Sequence, residues 1–199
     1  MQAKFPSVYL AGDLVFRPDA LSLFDRLKAI CAEVGLEGIA PFDGQAEARL
    51  MPPGRETILA FVRADRELMD QCDGGLFCVD PFRRSADMDP GTAVEIGYMH
   101  GLGKPMEGYT VDGRLYPEKV EAYWREAWGE SLRTRKEDGA PASGSMEDPG
   151  GMLAHSEGLY QNGMVAGFIG FSGGQIPAVA DFYEAFRKPA KRPSERLGR

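Results

Sequence analysis

Short apolar runs alternate, through the first half of the chain, with stretches whose apolar residues recur at helical spacing. Ser7–Ala11 (SVYLA) is such a run, ended by Gly12-Asp13, and predicts a buried strand. Over residues 19–35, Leu23, Leu27, Ile30 and Val34 fall on one side of a helix that Gly35 closes. Residues 38–42 predict a second strand, left through a loop at 42–45. Residues 54–72 predict an amphipathic helix with Ile58, Val62 and Leu68 on its inner side. Residues 75–79 (GLFCV) are continuously apolar, as a central strand is. Beyond the loop at 80–88 a third helix starts at Asp89-Pro90, where an Asp cap precedes proline at the first helical position. Residues 106–110 predict the fourth strand.

Strands and helices in this order predict the α/β class: a single domain built on a doubly wound (flavodoxin-like or Rossmann-like) parallel sheet with helices on both faces. Ligands of such sheets bind outside the carboxyl ends of the strands. The loops to watch are therefore 12–16, 42–45, 80–90 and the chain after Thr110. After Pro117 the pattern changes. Residues 118–132 are helical in spacing and carry Tyr123, Trp124 and Trp128, while 134–151 are polar and rich in Gly, Pro and Ser. The stretch 117–151 is expected to be an insertion or mobile loop within a domain spanning 1–188. Order is expected to return near Leu153, with a final helix over 177–187 and a basic tail at 189–199. Arg187, Lys188, Lys191, Arg192, Arg196 and Arg199 read as a solvated end, because prolines interrupt them and no aromatic residue lies among them. The sequence contains no internal repeat.

Composition narrows the function classes. The 199 residues carry a formal net charge of −7 and a pI of about 5.0, which argues against a partner that is nucleic acid or an anionic membrane. No uncharged apolar run approaches the ~18 residues of a membrane span. The chain enters its first strand without a signal peptide, so a cytoplasmic protein is expected. Cys31, Cys72 and Cys78 are odd in number, form no CxxC pair and lie in apolar runs, which predicts buried free thiols.

The stretch Asp89-Pro-Gly-Thr-Ala-Val-Glu95-Ile-Gly97 is the most informative for chemistry. It places one carboxylate at the mouth of a helix and another about two turns in. Gly91 and Ala93 are small enough to let a ligand approach the helix. The positive end of the helix is expected to keep Glu95 ionised, as a nucleophile requires. Taken alone, the stretch reads equally well as an N-cap followed by a surface glutamate. Asp73 reads alone as a turn residue, Tyr9 as a core tyrosine and Gln45 as a polar surface residue. Their expected convergence on one edge of the sheet, beside Gly12 and Phe16 after the first strand, is what favours a site. Residues 101–104 lack the pattern of a P-loop, and 170–174 that of a nucleophile elbow. His100 and His155 are too short of neighbouring ligands to suggest a metal.

Together these residues resemble the nucleoside 2-deoxyribosyltransferase family. The resemblance runs through Val8–Gly12 with Val15-Phe16, through Pro41-Phe42-Asp43 and Gln45, Cys72-Asp73 and Asp80-Pro-Phe-Arg83, and culminates in the 89–97 stretch. Glu157-Gly-Leu159 and Asn162-Gly-Met164 resemble its late elements. It implies that Glu95 attacks the anomeric carbon of a 2′-deoxynucleoside and carries the sugar covalently to a free nucleobase, in a salvage reaction. Tyr9 would hold Glu95. Asp73 and Asp89 would lie near the base, one of them giving it a proton, and Gln45 would touch the base. Asn162 and Met164 would reach a neighbouring subunit's site, which implies a homodimer or larger homo-oligomer. Two displacements at one carbon retain configuration and need no metal or organic cofactor. The alternative within the fold is hydrolysis of deoxynucleosides or their 5′-monophosphates with water as acceptor. Asp13 in the first loop is unfavourable to a phosphate. A second alternative is a non-catalytic nucleotide-binding module, against which the full set of Tyr9, Asp73, Asp89 and Glu95 argues.

Overall fold

A computed structural model describes residues 5–136, 144–154 and 158–197. Four parallel strands, β1 (Ser7–Ala11), β2 (Glu37–Ile39), β3 (Gly74–Cys78) and β4 (Met106–Tyr109), form one sheet in the order β2-β1-β3-β4. Helices α1 (Ala20–Glu33), α2 (Arg55–Gln71) and α3 (Pro90–Gly101) connect them. Further along lie α4 (Tyr116–Trp128), a two-stranded ribbon of β5 (Arg133–Thr134) and β6 (Met146–Glu147), α5 (Gly163–Phe171) and α6 (Phe182–Leu197). The chain leaves β1 toward one side of the sheet and returns to its other side at β3. The carboxyl ends of β1 and β3 therefore open a crevice at the reversal.

The period-two alternation of the strands divides the core in two. Val8, Leu10, Leu76, Cys78 and Tyr109 pack against α1 and α6. Tyr9, Ala11, Phe77 and Met106 pack against α3 and α5 on the other face, with Met69 of α2. All three cysteines are buried and free. Among the described residues, no helix is long and apolar enough to cross a membrane.

Several expectations shift. The second strand ends at Ile39, because Pro41 starts a 3-10 turn over Pro41–Asp43 that Asp43 closes by accepting the Ala40 N–H at 2.8 Å. On α2, Ile58 and Val62 face solvent, 60% and 58% exposed, while Thr57 and Met69 are buried and Phe61, Asp65 and Leu68 half-buried. The inward line is thus one residue out of phase with the apolar pattern. The expected loop 134–151 is framed by the β5–β6 ribbon, where Arg133 and Arg135 both bind the Glu147 carboxylate; residues 137–143 lie outside the described ones. A helix, α5, occupies the glycine-rich stretch after Asn162.

The carboxyl-terminal region departs furthest. Residues 175–179 run extended beside β4, with Gly108 N–H donating to Gln175 O at 2.9 Å and Val179 N–H to Thr110 O at 3.0 Å. Backbone committed to a ladder cannot also begin a helix at 177, so α6 starts only at Phe182, where Asp181 accepts the Glu184 N–H at 2.9 Å. The expected basic tail is the continuation of α6 to Leu197. Pro189 and Pro193 each remove a helical hydrogen bond, yet both are buried with Ala185, Phe186 and Ala190. Arg192 and Arg196 reach the fully buried Glu107 of β4 at 3.1 and 3.5 Å. Tertiary burial and this ion pairing hold helix where local propensity opposes it.

Candidate active site

The crevice at the carboxyl ends of β1 and β3 holds a cavity of about 440 Å³, walled by residues of the loops after β1 and β2 and by the inner sides of α2 and α3. Gly12 opens the first loop at φ 151°, and a Cβ there would lie 2.5 Å from the Cys78 Cβ. Only glycine lets the two strand ends come so close. Phe16 follows on the cavity rim, its ring 5.2 Å from that of Phe82. Arg83 lies over Phe82 at 4.5 Å and over Phe16 at 5.6 Å.

Asp89 caps α3: its Oδ2 accepts the Thr92 N–H at 2.8 Å and the Thr92 hydroxyl at 2.9 Å. Pro90 takes the first helical position, where no N–H is needed. Gly91 leaves that carboxylate room, since a Cβ would come 3.0 Å from Asp89 Oδ2. Nearly two turns on, Glu95 turns back into the cavity, and the buried Tyr9 hydroxyl of β1 donates to its Oε1 at 2.8 Å. From α2, Asp65 Oδ1 accepts from Gln45 Nε2 at 2.8 Å.

The electrostatics correct the expected state of Glu95. Burial pushes its carboxyl up to about 8, the Tyr9 hydrogen bond opposing and the charges of Asp65 and Asp89 adding to the rise. Loss of hydration outweighs the helix dipole here. Burial also raises Asp65, against the hydrogen bond from Gln45, and raises the Tyr9 phenol far above its ordinary value, with Glu95 adding. Tyr9 is therefore a permanent donor. The cavity holds three carboxyls, of which Glu95 is aimed and hydrogen-bonded, Asp65 is raised by burial and Asp89 is tied into a helix cap.

Of the residues singled out in the sequence, Glu95, Tyr9, Asp89, Gln45, Gly12, Phe16 and Gly91 come together at this cavity. Asp73 does not. It precedes β3 and so lies at the amino end of the strands, where its Oδ2 accepts the Ser7 N–H at 2.8 Å and the Ser7 hydroxyl at 3.1 Å. A residue before a parallel strand is a strand length away from the carboxyl edge. Asp73→Ala should leave turnover within about twofold of wild type and cost about 1 kcal/mol of stability through the lost bonds to Ser7. Steady-state rates beside a urea melt check both.

Asn162 and Met164 also stay outside the Glu95 cavity of their own chain. Asn162 caps α5, accepting the Met164 N–H at 2.9 Å, and both line a separate hollow of about 420 Å³ beside Pro90 and Ala93. Glu157 and His155 lie outside the described residues. His100 stacks on Phe168 at 4.5 Å and binds Ser172, away from the carboxyls. Sequence reasoning missed Asp65, Phe61 and Arg49, all on the cavity wall. The available signal was the line Thr57, Phe61, Asp65 and Leu68 along one side of α2, masked by the more apolar Ile58 and Val62.

A family model described as nucleoside 2-deoxyribosyltransferase matches residues 8–164. An uncharacterized protein from Schizosaccharomyces pombe is 57% identical over 194 residues, 98% of this chain and 91% of that protein. A solved structure of a 2-desoxiribosyltransferase from Leishmania mexicana is similar at a TM-score of 0.59 and 22% identity, covering 94% of this chain and 97% of its own. A conserved protein from Enterococcus faecalis V583 is similar at a TM-score of 0.56 and 16% identity, over 94% and 98%. At these identities the two structures bear on the fold alone.

Proposed function

The chain belongs to the nucleoside 2-deoxyribosyltransferase family, and on that premise we propose that it moves 2-deoxyribose from one nucleobase to another through a covalent deoxyribosyl–Glu95. The observation that carries this reading is the 2.8 Å hydrogen bond from the Tyr9 hydroxyl to Glu95 Oε1 inside the crevice cavity. It leaves one carboxylate oxygen aimed and the other free to attack.

In the first displacement a Glu95 oxygen bonds to C1′ as the glycosidic C1′–N bond breaks, its electron pair leaving with the base. A nucleobase leaves poorly as an anion, so a ring nitrogen of the base takes a proton as the bond breaks. Asp65 suits that role, because burial favours its protonated form and Gln45 holds it at the cavity wall. In the second displacement a ring nitrogen of the incoming base attacks C1′, loses its proton to the same acid and releases Glu95. Each step inverts C1′, so the product keeps the configuration of the substrate. Tyr9 holds Glu95 while charge leaves and returns to it.

Incubating the enzyme with thymidine and hypoxanthine separates transfer from hydrolysis. Transfer produces deoxyinosine together with a deoxyribosyl mass increase on the peptide holding Glu95. Accumulation of free deoxyribose without deoxyinosine would make water the acceptor. Absence of both products, or an adduct on another peptide, would sink the reading.

A further inference from the structure

Arg49 supplies the cavity's contrast in charge. Among the residues that wall it, Asp65, Asp89 and Glu95 are acidic and Arg49 is basic. Its guanidinium lies 4.6 Å from the centre of the Phe42 ring, itself part of the wall, and makes no ion pair or hydrogen bond with the described residues. The Arg49 N–H donates to Gln45 O at 3.1 Å, which sets the two side chains one turn apart on the same segment. Gln45 is buried, and its Nε2 is committed to Asp65. Its Oε1 receives no hydrogen bond from the described residues. The cavity wall thus carries a planar fork of N–H donors on the exposed Arg49, one turn from a carbonyl acceptor on the buried Gln45. Phe16, Phe42 and Phe61 add flat apolar surface around them.

We propose that Arg49 and Gln45 select nucleobases that carry a carbonyl next to a ring N–H, namely 6-oxopurines and 4-oxopyrimidines, over the 6-amino and 4-amino bases. The proposal rests on the deoxyribosyl-transfer reading and names the substrate class of that same site. The guanidinium donates to the exocyclic oxygen of the base, and Gln45 Oε1 accepts from the adjacent ring N–H. Adenine and cytosine reverse both groups, presenting an amino donor to the arginine and a bare ring nitrogen to the carbonyl. The wrong base leaves the carbonyl of the buried Gln45 unpaired, and a site that does so discriminates better than an apolar pocket.

The test compares kcat/KM for deoxyinosine against deoxyadenosine, and for deoxyuridine against deoxycytidine, with one common acceptor base. Wild type should favour the oxo member of each pair about 10- to 100-fold, the worth of one well-matched edge. Arg49→Leu should collapse both ratios toward unity, mainly through KM, with Arg49→Lys retaining an intermediate preference. Calorimetric titration of Glu95→Gln with hypoxanthine and with adenine measures base recognition without turnover. It should show the same preference, lost when Arg49→Leu is added. Unchanged ratios in Arg49→Leu, or a wild-type preference for the amino bases, would overturn the proposal. So would a loss confined to deoxynucleoside 5′-monophosphates, which would make Arg49 a phosphate ligand. Failure of the transfer reading shows separately, as missing exchange and adduct in wild type whatever the bases bind.

Discussion

Glu95→Gln is expected to lower base exchange by at least about 10³-fold and to abolish the deoxyribosyl adduct, because an amide cannot serve as the nucleophile. The same substitution should stabilise the fold at alkaline pH. Glu95 is raised from 4.5 to about 8 in the folded chain, so between those values the folded state binds the extra proton. Stability is then lost as pH rises through that window, and the penalty is complete above about 8. Glutamine carries no such penalty. The variant should match wild type near pH 4.5 and exceed it by about 2 kcal/mol at pH 8.5, less than the full shift would give because the cavity is open to water. Rates from single-turnover exchange and melting curves at the two pH values check both halves. A fully active variant would remove Glu95 from the chemistry. A variant less stable than wild type at pH 8.5 would show that the carboxylate is not held at a cost.

Tyr9→Phe has the next largest expected effect, a fall of about 10- to 100-fold in kcat/KM at neutral pH, the worth of a hydrogen bond to a charged group. Attack needs ionised Glu95, so kcat/KM of wild type should fall as pH drops through about 8. The Tyr9 bond is what lowers Glu95 against its burial, and removing the donor moves the carboxyl further up. The acidic limb of the profile should therefore shift to higher pH, and the variant should recover part of its deficit in alkaline buffer. A purely structural tyrosine would lower the rate equally at every pH. An unshifted limb would thus rule out the positioning role.

The two halves of the site were unequally legible. Asp89 could be placed because an N-cap followed by proline is a local device, whose consequences lie within one helical turn. Glu95 followed at a fixed distance along the same helix. Asp65 was hidden because the phase of α2 depends on what the helix packs against, and Ile58 and Val62 are apolar residues that this fold leaves in water. Asp73 was misplaced for a related reason. It lies close in sequence to the central strand, but whether a residue precedes or follows a parallel strand decides which edge of the sheet it reaches.

The same division runs through the rest of the chain. Strand and helix periodicity, the glycine after β1 and the cap of α3 act over a few residues, so the sequence by itself determined the parallel α/β architecture and the edge where its candidate site lies. Long-range terms decided the remainder. The buried Glu107 draws Arg192 and Arg196 into a helix that two prolines oppose. The ladder to β4 holds residues 175–179 extended where a helix was expected. Above all, the helix start that was expected to keep Glu95 charged acts on a carboxyl whose protonation is governed by burial. Burial depends on β1, α2 and α3 closing together, with Tyr9 brought from 86 residues away to hold the group.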